Sequence, residues 1–551
     1  MLKVVINCLN SKYVHYSSAP WCLLAGVRQN AKSQTDCLVL QSTINSDIDA
    51  FADSIIRENP DVFSFSCYIW NITQTLYICQ KIKNAKPHSV CVLGGPEVAY
   101  RPKSILTDYP FVDYVLTGEG EYCFPEFLDM LSGLCDKESV SGLTYRSEIS
   151  IISNSEKCYD TTPPSPFCDE YFKALDSRIC YIESSRGCPY RCAFCLSGRV
   201  SKLRFFDINQ TKSDIIKLSQ SGTQTIKFVD RTFNASEKHA NEILSFIKEN
   251  YGSKIPQGVC FHFEIAGDIL KESTFEILEK MPKGAIQLEI GMQSFNEQTL
   301  LNINRKTNTK KLIQNIKRLI AMGNMHIHID LIAGLTGEDM QSFETSFDIA
   351  YSLNAHMLQM GFLKLLYGAA MREESEKYPC EFNETPPYEV ISTPWITKEQ
   401  MLTLKKTEDA VDRMYNSGRF LFTLDYLINE VGFTPFKLFY EFGQRINAQK
   451  MSLCEYTEAI YNYFSDKCDK NILREKLVCD LLCSGNQLPK TLRFENKLHK
   501  KAKALLGKNT KLAILPQKNK IFTVDTNSGK DFFGRFDYKY FDIDILGKNK
   551  E

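Results

Sequence analysis

The stretch Glu183–Gly198 reads ESSRGCPYRCAFCLSG. Three cysteines, Cys188, Cys192 and Cys195, fall within eight residues. Thiolates are the usual protein ligands of iron–sulfur clusters, and a 4Fe–4S cluster has four irons to ligate. Three thiols on one loop can each reach a separate iron and leave the fourth without a protein ligand. An open coordination position is where chemistry can occur. Zinc would want a fourth Cys or His close by. The nearest histidine, His239, falls in a predicted helix. Chance clustering of thiols is the other bland alternative. Gly187 and Pro189 disfavour regular structure, so the motif reads as a loop.

Working outward, that loop follows a predicted strand, RICYIES, and opens a βα series. TIKFVD, VCFHFEI, AIQLEIG, HIHIDLI and HMLQMGF follow at intervals of about 30 residues. Helices alternate with them. In NASEKHANEILSFIKEN, Ala240, Ile243, Leu244 and Ile247 form an apolar stripe, and Asn234 with Glu237 predicts a capping box. In TNTKKLIQNIKRLIAMG, Leu312, Ile316 and Leu319 share a face and Gly323 marks the stop. Six such units predict a partial parallel barrel with its site at the strand C-termini.

Upstream, KVVINCL, TDCLVLQ, DVFSFSC, SVCVLGG and DYVLTGEG predict five strands separated by helices. Continuous apolar strands of this kind imply a parallel, doubly wound sheet, with its ligand beyond the strand carboxyl ends. Pro-rich DTTPPSPFCDEYF predicts a linker. Downstream of about residue 375 the βα rhythm stops. Residues 396–515 read as helical, and KIFTVDTN and RFDYKYFDIDIL read as strands. The predicted class is thus α/β: a doubly wound domain over residues 1–140, a linker over 141–177, a partial (βα)6 barrel over 178–370, and a mainly helical extension over 371–551.

Bulk composition narrows the function. The chain has 551 residues, with 66 Lys plus Arg balancing 66 Asp plus Glu. Zero net charge argues against a protein built to hold nucleic acid. The basic stretch KTLRFENKLHKKAKALLGKNTK reads as a solvated helix face, with a nucleic-acid or phosphate patch as the alternative. The N-terminal segment lacks a signal-peptide pattern, and no run of about 18 apolar residues predicts a membrane span. Twenty cysteines then read mostly as reduced, buried side chains in the cytoplasm.

At the three cysteines the chain resembles the radical S-adenosylmethionine (SAM) superfamily over roughly residues 178–365, with aromatic Phe194 before the last cysteine. The resemblance implies a 4Fe–4S cluster on Cys188, Cys192 and Cys195 whose open iron chelates SAM. It also implies reductive cleavage to methionine and a 5′-deoxyadenosyl radical. FVDRTF occupies the place of the family's glycine-rich SAM-amine motif but lacks its glycines, so a backbone role around Asp230 and Arg231 is implied. Glu264 would face the site if strand parity places it there. Gln293 would suit the ribose hydroxyls, Arg305 the SAM carboxylate, and Ile332 to Gly334 the adenine. Glu264 and Glu289 would be costly to bury unpaired.

A doubly wound domain ahead of such a barrel resembles the cobalamin-binding subfamily. FSFSCYIWN, VLGGPEVAY and LTGEGEYCF carry the match. Gly94 and Gly95 would let a flat macrocycle approach the backbone, and Ser66 and Gly118 would line its edge or tail. The Asp-x-His-x-x-Gly motif is absent, so no motif histidine is implied for cobalt. The tail resembles an uncharacterised extension, where Cys479 and Cys483 lie one helical turn apart. The resemblance implies methyl transfer to carbon, or a rearrangement or cyclisation driven by the same cofactors, on a small-molecule or peptide substrate, with an external flavodoxin- or ferredoxin-like one-electron reductant. The alternatives are a methylthiotransferase, or a non-catalytic cobalamin or iron–sulfur sensor or electron carrier.

Overall fold

The computed structural model describes residues 1–199, 202–446, 451–492, 497–507 and 511–546. Five strands open the chain: β1 (Leu2–Asn10), β2 (Thr35–Thr43), β3 (Val62–Ser66), β4 (Val90–Gly94) and β5 (Tyr114–Leu116). They pair in parallel in the order β2-β1-β3-β4-β5. That order is the flavodoxin-like doubly wound arrangement, with its crevice at the β1/β3 switch point. Val5, Phe63, Phe65, Leu93 and Val115 fill one core under the flanking helices. Cys67, Cys79 and Cys91 join them, as expected of small apolar side chains.

The predicted linker is corrected by the structure. Residues 141–177 carry β6 (Leu143–Arg146) and β7 (Ile151–Ser153), which extend the front sheet in antiparallel fashion beyond β5. A helix, Asp169–Leu175, follows. LTYR alternates over too few positions to stand out by period, and IIS is shorter still.

The next strand is β8 (Cys180–Ile182). After it, β9 (Ser185–Arg186) and β10 (Arg204–Phe205) form a small antiparallel ribbon. Then β11 (Thr225–Phe228), β12 (Cys260–Ile265) and β13 (Ile286–Gln293) continue from β8 as parallel neighbours. Further on, β14 (His326–Ala333) and β15 (Met357–Phe362) pair in parallel. Gly323 ends its helix in the left-handed conformation at φ 66°, as predicted. Asn234 is corrected. Ser236, not Asn234, caps the helix Glu237–Asn250 by accepting from the His239 N–H. The Asn234 amide instead bridges both backbone groups of Ala266.

The chain divides into two compact units. One holds Met1–Ile290, Leu301–Met325 and Leu363–Ile391, and the other Gly291–Leu300, His326–Phe362 and Ser392–Glu551. Past β15, β16 (Glu381–Phe382) and β17 (Val390–Ser392) make a two-stranded ribbon. In the second unit, β18 (Lys511–Leu515), β19 (Lys520–Asp525) and β20 (Asp537–Asp542) form an antiparallel sheet. It packs under the helix Lys497–Leu506 around Ala502, Leu512, Ile514 and Ile521. That helix belongs to the predicted basic face, and Lys500, Lys501 and Lys503 are exposed on it. Residues 493–496 and 508–510 of the same basic stretch lie outside the described residues. β18 lies where a helix was predicted, because KLAIL is a short apolar run that periodicity cannot assign. Cys479 and Cys483 are both buried in the helix Lys470–Cys483, where burial pushes both thiols up. Among the described residues no helix is long and apolar enough to cross a membrane.

Candidate functional site

The β9–β10 ribbon pairs Arg186 with Arg204 and Ser185 with Phe205, so the three-cysteine loop leaves and returns at one stem. A Cβ on Gly198 would stand 2.5 Å from the Tyr190 carbonyl oxygen, so only glycine lets the loop fold over itself. Backbone bonds fix its shape. The Ala193 N–H donates to the Ile303 carbonyl (2.9 Å), and the Cys195 N–H donates to the Cys192 carbonyl (3.1 Å). The Asn304 amide donates to the Arg191 carbonyl.

The thiols differ in their surroundings. Cys192 is buried, with Arg305 Nη1 3.7 Å from its sulfur. Cys195 accepts from the Ser197 N–H at 3.4 Å, and Cys188 Sγ lies 3.4 Å from Thr232 Oγ1. Burial pushes the Cys192 thiol up, Arg305 pulls against it, and Cys195 and Cys188 add to the push. This soft donor set, with a guanidinium and an N–H beside it, fits an iron–sulfur cluster. Phe194 is half-buried between Ala193 and Cys195.

Asp230 lies just beyond β11 and is 1 % exposed. It accepts from the Ser184 N–H (2.9 Å), the Ser184 hydroxyl (2.7 Å) and the Ser185 hydroxyl (2.5 Å). Burial raises its carboxyl to about 6, and those bonds moderate the rise. The side chain is committed to the loop stem, which leaves only its backbone for a ligand.

Strand parity puts Glu264 and Glu289 on one face, opposite each other in register. Lys227 Nζ lies 3.5 Å from Glu264 and 3.1 Å from Glu289, and His262 Nε2 lies 2.8 Å from Glu289. The two carboxylates are thus paired, as their burial requires. Burial raises Glu264, with Arg231 and Lys227 opposing and Glu289 reinforcing. Gln293 ends β13 in the left-handed region at φ 69°, and Ile332 is half-buried on β14. Both belong to the second unit, and Arg305 belongs to the first.

Beyond the carboxyl ends of the front strands lie two adjoining cavities, of about 240 and 800 Å³. Ser66 and Gly94 line the first, while Gly95 and Gly118 line both. Leu196 and Arg199 of the cysteine loop line the larger. A cradle of glycines and apolar strand ends fits a flat macrocycle with a narrower tail. Gly95 has a further reason to be glycine. At φ 100° its Cβ would meet the Cys67 carbonyl oxygen at 2.6 Å, so the chain after β4 requires it with or without a ligand.

The residues that sequence reading missed stand between these parts. Arg186 contacts Glu119 (2.6 Å), Glu121 (2.9 Å) and Glu183 (2.6 Å), and Arg204 contacts Glu119 (2.7 Å). Burial opposes the charge on Glu121, and Arg186 overcomes it and holds the carboxyl below its ordinary range. The signal was two clusters of opposite sign, GEGE and SSR, separated by more than sixty residues of chain.

Comparison with known families accounts for most of the chain. A B12 binding domain matches residues 5–128 and the Radical SAM superfamily matches residues 182–350. The chain carries a B12-binding domain followed by a radical SAM domain. A protein of unknown function (DUF4080) matches residues 376–551. Cobalamin-dependent radical SAM methyltransferase TokK of Streptomyces tokunonensis is 27 % identical, over 54 % of this chain and 45 % of TokK. The 2-(S-pantetheinyl)-carbapenam-3-carboxylate methyltransferase of Streptantibioticus cattleyicolor is 26 % identical, over 52 % of this chain and 44 % of its own. The chain therefore spans about half the length of these two relatives. Among solved structures, the cobalamin-dependent SAM radical enzyme OxsB with aqua-cobalamin bound shares the fold. Its TM-score is 0.61 at 13 % identity, over 88 % of this chain and 79 % of OxsB. TsrM from Kitasatospora setae, solved with cobalamin and a 4Fe–4S cluster, gives 0.58 at 15 % identity, over 70 % and 79 %.

Proposed function

We propose that this chain is a cobalamin-dependent radical SAM enzyme, a methyltransferase acting at carbon on a small molecule or peptide. The observation that carries the reading is the larger cavity. Its walls are the glycine-lined strand ends of the front domain on one side and the residues just past Cys195 on the other. When bound, the cluster supplies an electron and a chelation site for SAM, and cobalamin supplies a methyl carrier.

The chain's own residues do the rest. Cys188, Cys192 and Cys195 hold the cluster, with Phe194 immediately before the last of them in the chain. Arg305 beside Cys192 offers its planar fork to a carboxylate. The backbone beyond Asp230, with Glu264, contributes further SAM contacts. Ser66, Gly94, Gly95 and Gly118 seat the corrin and its tail. By segment, residues 1–140 serve cobalamin, 178–370 serve SAM and the radical, and 371–551 form an extension. A flavodoxin- or ferredoxin-like donor supplies electrons, and nucleic acid has no part. Buried thiols such as Cys67, Cys79 and Cys123 suit a reducing cytoplasm.

The test is anaerobic reconstitution with iron, sulfide and hydroxocobalamin, then incubation with SAM and a reductant. About four irons per chain, bound cobalamin, and release of 5′-deoxyadenosine and S-adenosylhomocysteine support the reading. Cys192→Ala should lose the iron and both products. A protein that takes up neither cofactor refutes it.

A further inference from the structure

Residues 363–391 belong to the first unit, although the match to the family of unknown function begins within them. The segment runs out and returns as a laced ribbon. The Leu365 N–H donates to the Tyr388 carbonyl and the Val390 N–H donates to the Leu363 carbonyl, both at 2.9 Å. On one side it grips the front domain. Tyr388 is 1 % exposed, and its phenol donates to Glu97, itself buried just after the Gly94–Gly95 turn. Arg101 lies 2.6 Å from the same Glu97 oxygen and 3.2 Å from the phenol. The guanidinium of Arg101 lies 4.1 Å from the centre of the Tyr367 ring, and that of Arg372 lies 3.6 Å from it. The Tyr100 ring presses on Gly368, where a Cβ would collide with the ring carbons.

On its other side the segment holds the cysteine loop. The Met371 N–H donates to the carbonyl of Ala193, between Cys192 and Cys195, at 3.0 Å. Glu373 pairs with Arg199. One short segment thus touches both the turn that lines the cavities and the loop that carries the thiols. A buried carboxylate such as Glu97 is stable only while its partners stay in place. Loss of the phenol therefore loosens the turn as well as the segment.

We propose that residues 363–391 form a clasp that sets the separation between the Gly94–Arg101 turn and the three-cysteine loop, with Tyr388 as its positioning residue. The clasp rests on the cofactor assignment above for its purpose, because transfer between two bound groups falls about 10²-fold for a 1 Å misplacement. Its mechanics stand without any cofactor. It also gives the start of the segment of unknown function a task.

The experiment compares wild type with Tyr388→Phe, using Lys377→Ala as a control on the same segment, where the ion pair is exposed. Amide hydrogen exchange is read first, without cofactors. Exchange should rise together at Gly94–Arg101 and Ala193–Arg199 in Tyr388→Phe and stay at the wild-type rate in Lys377→Ala. The reconstituted protein is then read by electron paramagnetic resonance. Relaxation of cob(II)alamin by the reduced cluster should weaken, with iron and cobalamin contents unchanged and S-adenosylhomocysteine release down about 10²-fold. Unchanged exchange and unchanged relaxation in Tyr388→Phe overturn the clasp. If the phenylalanine variant loses its cofactors, Arg372→Met decides on the same readouts, because it leaves the phenol–carboxylate bond intact. Failure of the cofactor assignment shows differently, as wild type that takes up no iron or no cobalamin.

Discussion

Arg186 Nη1 lies 2.6 Å from Glu119 Oε2, which joins the stem of the cysteine loop to the strand-end loop of the front domain. Two residues beyond Arg186 stands Cys188. The contact fixes where the thiols sit relative to the cavities, and the same guanidinium also holds Glu121 and Glu183.

Replacing Arg186 by methionine leaves Glu119 with Arg204 and takes the guanidinium away from Glu121 and Glu183. Removing one partner of a buried charge network costs about 3 kcal/mol or more. Arg186→Met should lower the melting temperature and reduce both iron loading and hydroxocobalamin retention, measured by calorimetry and metal analysis. Normal loading of both would show that the network is not what joins the two sites.

Gly198 has no room for a side chain over the Tyr190 carbonyl. Gly198→Ala should strain the loop by about 1–3 kcal/mol. Circular dichroism should stay that of wild type while iron content falls. A fully loaded alanine variant would mean that the loop opens at little cost.

Burial raises Asp230 to about 6 and Asp480 to about 7. Both carboxyls bind protons more tightly folded than unfolded. The stability they contribute is complete below about pH 4 and is lost as pH rises to 6 and 7, on the order of 3 kcal/mol for Asp230 and 4 kcal/mol for Asp480. The melting temperature should therefore fall between about pH 4 and pH 7. Asp480 accepts from the Phe422 and Thr423 N–H groups. Asp480→Asn should cost stability at every pH but flatten the slope, and an unchanged slope would remove Asp480 as a cause.

Lys227 is a cation shared by Glu264 and Glu289. Lys227→Met should push Glu264 higher still. The variant should lose about 1–2 kcal/mol at about pH 8 and less in acid, because burial makes Glu264 take up its proton earlier as the pH falls. Equal losses under the two conditions in thermal denaturation would contradict the pairing.

Much of this molecule was legible in the chain. Continuous apolar runs marked the parallel strands, because a strand covered on both faces has no polar side to show. Cys188, Cys192 and Cys195 stood out by spacing, and Gly323 by its place after a periodic helix. Strand parity set Glu264 on one side of its strand, since side chains alternate by rule. Local signals failed where packing decides. β6, β7 and β18 are too short for a period to emerge, and Asn234 yielded its cap to Ser236 because its amide was taken by Ala266.

By itself, then, the sequence determined the order of the strand and helix runs, the spacing of the three thiols and the helix stop at Gly323. These depend on neighbours along the chain. Only the tertiary structure decided that Arg186 joins Glu119, that Asp230 serves the loop stem, and that Tyr388 reaches Glu97 across 291 residues. Charges and phenols find partners by distance in space, and no spacing along one chain encodes that distance.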